Sequence, residues 1–95
     1  MRLTPEQQRV ILEAVHREDP DARVMLFGSR ADRDARGGDI DLFVISDRIG
    51  MRQEWKIRRE ILDAIGWQKL DLIVRRRDQL DSPISRIALE KGVSL

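Results

Sequence analysis

The stretch "GSRADRDARGGDIDLFVI", residues 28–45, decides how this chain is read. It closes on an apolar run, Ile40 and Leu42 to Ile45, bounded by glycines, which reads as a strand. Two carboxylates, Asp39 and Asp41, stand one residue apart at the mouth of that run. Strand side chains alternate faces, so the pair shares one face with a separation of roughly 6 to 7 Å along the strand. Ile40, Leu42 and Val44 face the other way and read as core. Phe43 and Ile45 continue the aspartates' own face in apolar form, which puts the carboxylates at the rim of a buried surface. Like charges there repel unless something positive joins them, and one or two divalent cations fit between their oxygens. An Asp-x-Asp alone also has a plain reading, in which "RGGD" is a turn and its aspartates are solvated.

Upstream, "RVMLFG" reads as a short strand ending at Gly28, after which Gly28 and Ser29 start a short helix. Such a junction offers backbone N–H groups, a helix N-terminus and a hydroxyl, all suited to phosphate oxygens, and Arg30 adds a positive charge beside them. Downstream, "MRQEWKIRREILDAIG" is an amphipathic helix with Trp55, Ile61, Leu62 and Ile65 on its inner face and Gly66 at its stop. "WQKLDLIV" is a third strand. Asp71 sits between Leu70 and Leu72 and faces away from both, so a neighbouring strand brings it beside the Asp39–Asp41 pair. Three carboxylates on adjacent strands are the usual apparatus of two-metal phosphoryl transfer. With the phosphate-binding junction, the pieces fit a magnesium–nucleoside triphosphate.

Two helices complete the chain. "LTPEQQRVILEAVHRE" has Thr4 as N-cap, Pro5 in the first turn and Gln7 closing a capping box, then Val10, Ile11, Ala14 and Val15 at helical spacing. A last helix runs from Ser82 and Pro83 to Lys91, with Gly92 ending it. The order helix, strand, short helix, strand, helix, strand, helix specifies an α/β or α+β sandwich, a small sheet with helices covering a face. The 95 residues are expected to form a single domain, 1–95.

The composition narrows the chemistry. Eighteen Lys and Arg against 17 Asp and Glu leave a net charge of +1, without the basic excess of a nucleic-acid-binding domain. There are no cysteines and one histidine, which excludes disulfides, thiol catalysis and Cys-based zinc sites; a metal site here must use oxygen ligands and favours magnesium, manganese or calcium. No segment reads as a signal peptide or a membrane span, so a cytoplasmic protein is expected.

Rival motifs fail on inspection. A calcium loop starting at Asp32 would have Arg36 at its fifth position and Phe43 where the closing Glu belongs. A phosphatase-type aspartyl nucleophile requires the apolar strand before Asp-x-Asp, not after it. Asp32 and Asp34 read as a solvated loop, Asp47 as a turn residue, His16 as an ordinary surface or half-buried residue, and Trp55 and Trp67 as core or interface aromatics. Arg75, Arg76 and Arg77 read as a solvated turn, with contact to a triphosphate or an acidic partner as the sharper alternative.

Gly28-Ser29, Asp39-x-Asp41 and Asp71 together resemble the signature of the minimal nucleotidyltransferases of the DNA polymerase β superfamily. "GSRA…GGDIDLFV" followed by "LDLIV" matches in order and spacing, and the likeness covers residues 23 to 75. The tail "SPISRIALEKGVSL" also looks like the end of short bacterial members. One departure is Gly37-Gly38, where many relatives have a longer loop with a serine before the first aspartate; it bears on the nucleotide contacts. The resemblance implies a polymerase β-like fold, a small mixed sheet with helices packed on it. It implies that Asp39 and Asp41 bind two magnesium ions and that Asp71 shares one and orients or deprotonates the acceptor hydroxyl. Gly28, Ser29 and Arg30 would hold the β- and γ-phosphates of ATP. Small bacterial members often stand beside a HEPN-domain toxin as its antitoxin and transfer AMP to a toxin tyrosine, which implies a hetero-oligomer with that partner. The alternative is a silent antitoxin that neutralises by binding alone.

Overall fold

The computed structural model describes residues 3–27, 40–66 and 69–95. The short helix expected after Gly28 therefore lies outside the described residues, as do Asp32 and Asp34. The described elements are α1 (Pro5–Glu18), β1 (Arg23–Phe27), β2 (Ile40–Ile45), α2 (Met51–Ile65), β3 (Leu70–Arg75), a 3₁₀ turn (Arg77–Gln79), α3 (Pro83–Lys91) and β4 (Val93–Ser94).

Helix α1 starts as its sequence dictates. Thr4 accepts from the Gln7 amide at 3.1 Å, and the Gln7 side chain accepts from the Thr4 amide at 3.0 Å, so two orphan donors of the first turn are satisfied reciprocally. Gly66 ends α2 with φ of +92°, a region glycine enters without a Cβ penalty. Ser82 caps α3, accepting from the Ser85 amide at 3.3 Å, with Pro83 following it in the first turn.

The sheet order is β3-β2-β1-β4. β1 pairs antiparallel with β2 and with β4, whereas β2 and β3 run parallel and are joined through α2. The sheet is thus mixed, as the family resemblance implied. β4 is an addition to the expected order: the tail after Gly92 returns to pair Val93 with Leu26 and Ser94 with Met25.

Alternation along the strands divides the core in two. Val24, Leu26, Ile40, Leu42, Val44, Leu70 and Leu72 form one face, packed with Ile11, Ala14 and Val15 of α1 and Ile57 and Ile61 of α2. Met25, Phe43 and Ile45 form the other, covered by Ala88 of α3, with Phe27, Ile73 and Leu80 half-buried at its margin. Helices therefore cover both faces of the sheet. One expectation about α2 is overturned. Trp55 is 66% exposed, while Ile57 is fully buried in its place. Ile57 and Ile61 are four apart and define the buried stripe, and Trp55 lies off it; the indole's hydrophobicity did not override helical geometry.

Candidate functional site

The face covered by α3 carries the carboxylates. Asp41 is the second residue of β2 and Asp71 the second of β3, and parallel pairing makes them register partners. Antiparallel pairing adds Phe27 of β1 on the other side of Asp41. Phe27, Asp41 and Asp71 thus form one row across three strands, with neighbouring strands about 4.8 Å apart. The next row inward is Met25, Phe43 and Ile73, apolar throughout. The sequence thus turns the same face from core to carboxylate within two residues, on two adjacent strands. Asp41 is half-buried and Asp71 exposed. The rings of Phe27 and Phe43 meet edge to face, centroids 6.5 Å apart, and stiffen the floor behind Asp41.

The ladder is secured at this end. The Ile40 amide donates to the Lys69 carbonyl at 2.9 Å, and Arg58 of α2 donates to the Leu70 carbonyl at 2.8 Å. Both bonds flank the Asp41–Asp71 row. Arg58 was not singled out by sequence, where it reads as one more exposed cation on α2.

Of the sequence-derived site residues, Asp41 and Asp71 are brought together. Gly28, Ser29, Arg30 and Asp39 lie outside the described residues. Phe27 and Ile40, which flank that stretch, both lie at the Asp41 end of the sheet. Among the described residues no group of three or more His, Cys, Asp or Glu converges on a common point. The donor set at the row is carboxylate oxygen alone, which suits a hard cation such as magnesium.

The opposite end of β2 holds a structural polar cluster. Asp19 is 1% exposed and Ser46 fully buried, and the Ser46 hydroxyl donates to Asp19 Oδ2 at 2.5 Å. Ser46 Oγ in turn accepts from the amides of Arg48 and Ile49, both at 3.1 Å. Asp47 is more than a turn residue: it accepts from the Arg77 amide at 3.0 Å and the Arg77 guanidinium at 2.8 Å. Arg76 faces Asp78 at 3.5 Å, and Arg75 donates to the Val74 carbonyl at 3.0 Å. Arg75 is four strand positions from Asp71, roughly 13 Å, so these arginines serve local ties at the far end of β3. His16 is half-buried, its Nε2 3.0 Å from the Ala22 carbonyl.

The family model described as Polymerase beta, Nucleotidyltransferase matches residues 10–95. A crystal structure of a mutant of the toxin-antitoxin MntA-HpeT is similar in fold, with a TM-score of 0.67 and 18% identity, over 97% of this chain and 71% of that one. A search of curated proteins gave no match.

Proposed function

Because the chain belongs to the polymerase β nucleotidyltransferase family, we propose that it transfers AMP from Mg-ATP to a hydroxyl, a tyrosine of a HEPN-domain toxin, and so acts as that toxin's antitoxin. The observation that carries this reading is the register pairing of Asp41 with Asp71 at the mouth of an otherwise apolar sheet face. A structural core has no use for two carboxylates side by side, whereas a metal-dependent phosphoryl-transfer site needs them. The antitoxin role is supported by the likeness to the MntA-HpeT structure, and the tyrosine acceptor by family resemblance.

Asp39, Asp41 and Asp71 would hold two magnesium ions, which when bound neutralise the charge on the triphosphate and lower the pKa of an attacking hydroxyl. Gly28, Ser29 and Arg30 hold the β- and γ-phosphates. Asp71, exposed where Asp41 is half-buried, orients the acceptor hydroxyl and takes its proton. The acceptor oxygen bonds to the α-phosphorus, the bond from that phosphorus to the bridging oxygen breaks, and pyrophosphate leaves. The reaction draws on ATP, which places it in the cytoplasm. Among the described residues no helix is long and apolar enough to cross a membrane.

The test is transfer of label from α-labelled ATP to the purified toxin, with wild type beside Asp39→Ala/Asp41→Ala. Label on the toxin with wild type alone supports the transferase. If the double variant labelled the toxin equally, the carboxylate assignment would be wrong. Neutralisation by the double variant without label would instead identify an antitoxin that acts by occlusion.

A further inference from the structure

The outer face of α2 is the most exposed apolar feature among the described residues. Met51 is 76% exposed and Trp55 66%, one turn apart, and Leu62, half-buried against the core, stands two turns on. Arg52, Lys56 and Arg59 form a parallel stripe at the same spacing. One groove is lined by Met51, Arg52, Trp55, Lys56 and Arg59. A second is lined by Trp55, Arg58, Arg59, Leu62 and Asp63. Trp55 and Arg59 stand on the ridge between them. Arg59 lies 3.8 Å from Asp63 in an exposed pair, and no described carboxylate pairs with Arg52 or Lys56. The face is therefore an apolar ridge bordered by three cations, of which Arg52 and Lys56 make no ion pair among the described residues, while Lys56 and Arg59 also border a groove that holds Glu18, Glu60 and Asp63.

We infer that this face is a docking surface for a partner protein that presents an apolar groove rimmed with carboxylates, and that it seats the partner beside the Asp71 end of β3. The inference rests on the reading of the chain as a transferase acting on a protein. Exposed apolar patches bordered by polar groups mark interaction sites, and Trp and Arg are the residues that dominate such contacts. The cationic border selects an acidic partner. A second copy is disfavoured because a two-fold contact through this face would oppose the three cations to themselves. Single-stranded nucleic acid is disfavoured because it stacks successive bases on several aromatics, and this ridge offers one indole in a chain of net charge +1. The position follows from Arg58, which lines the second groove and bonds the carbonyl of Leu70, next to Asp71. A partner on the ridge thus reaches the edge of β3 at Leu70 and leaves uncovered the carboxylates, which belong to the opposite face of the sheet.

Titration calorimetry with the HEPN toxin, using wild type, Trp55→Ala, Arg59→Glu and Asp41→Asn, tests this. Both ridge variants keep the wild-type melting temperature, because both residues are exposed. Each weakens toxin binding at least about 30-fold, the effect of losing one interface hot spot, while Asp41→Asn binds like wild type. Ridge variants that bind as tightly as wild type would overturn the docking surface and leave the transferase reading standing. Ridge variants that lose binding in a protein that transfers no label would leave the docking surface standing and remove the transferase reading. Failure of wild type to bind the toxin at all would remove both. Self-association, or oligonucleotide binding, that disappears in Arg59→Glu would assign the face to a different occupant and overturn the inference.

Discussion

Arg58 Nη1 donates to the carbonyl oxygen of Leu70 at 2.8 Å, tying the middle of α2 to the residue immediately before Asp71. Successive strand carbonyls point to opposite sides. The Lys69 carbonyl turns inward to the Ile40 amide of β2, so that of Leu70 turns to the outer edge, where β3 has no neighbouring strand among the described residues. Arg58 occupies that edge and fixes where β3 begins, and with it the height of Asp71 relative to Asp41. In the proposed reaction it is a positioning residue that touches no reacting atom. Arg58→Ala should cost about 1–2 kcal/mol of stability and slow transfer about 10- to 100-fold through misplacement of Asp71. The loss should fall on kcat more than on KM for ATP, and Arg58→Lys should recover part of it. Equal effects of Ala and Lys, confined to melting temperature, would reduce Arg58 to a structural tie.

The carboxylate row predicts a metal-dependent gain in stability. A ligand that binds only the folded state stabilises it by about 1.4 kcal/mol at tenfold excess over Kd, on the order of 5 to 10 °C for a domain of this size. Magnesium with a non-hydrolysable ATP analogue should raise the melting temperature of wild type by that amount, reversibly with EDTA. Asp41→Asn and Asp71→Asn should show little of the gain. A full gain in Asp71→Asn would remove Asp71 from the metal site.

The exchange of roles between Trp55 and Ile57 can be read as stability. Ile57 is fully buried between the sheet and α1, so Ile57→Ala should cost about 2–5 kcal/mol. Trp55→Ala removes a far larger side chain yet should change stability by no more than about 0.5 kcal/mol, because the indole is mostly in water. Urea unfolding of the two variants gives the comparison directly. A larger loss for Trp55→Ala would mean that the indole is packed after all.

Much of the fold was legible because local signals agreed with one another. Thr4, Gln7, Ser82, Pro83 and Gly66 mark helix ends by chemistry that acts within a few residues, and period 2 assigned Ile40, Leu42 and Val44 to one face and Phe43 and Ile45 to the other. The same alternation turned Asp71 toward the Asp41 face, whereas the parallel register that makes the two partners is a property of the fold. What was hidden depends on contacts distant in sequence. β4 exists because Val93 and Ser94 meet β1, a pairing invisible in a two-residue strand. Gly92 was expected as a simple helix stop. It does end α3, and glycine is further required there by close approach, since a Cβ would lie 2.4 Å from the Ala88 carbonyl oxygen and 3.1 Å from Met25 Cε. Arg58 and Ser46 gave no signal, because an arginine on a helix and a serine after a strand are ordinary until their partners are known.

The buried pair of Asp19 and Ser46 predicts how the fold responds to acid. Burial, the strongest single influence, pushes the Asp19 pKa up. The hydrogen bonds from Ser46 and the Asp21 amide, with the charges of Arg48 and Arg77, outweigh it and hold the carboxyl below its ordinary value. Asp47 is lowered too, by the amide and then the guanidinium of Arg77. A carboxyl whose folded pKa lies below its unfolded one stabilises the fold fully above the unfolded value, about 3.9. That contribution is lost as pH falls through the folded value, so the protein should lose stability in acid below about pH 4. Ser46→Ala removes the bond to Asp19 and the acceptor for two amides, and should cost about 1–3 kcal/mol at neutral pH. It also lets the Asp19 pKa rise, so the gap between variant and wild type should narrow as the carboxyl protonates in both. Urea midpoints followed down the acid limb measure that gap. A gap unchanged by acid would show that Ser46 acts through the Arg48 and Ile49 amides alone and that the Asp19 charge has no part in it.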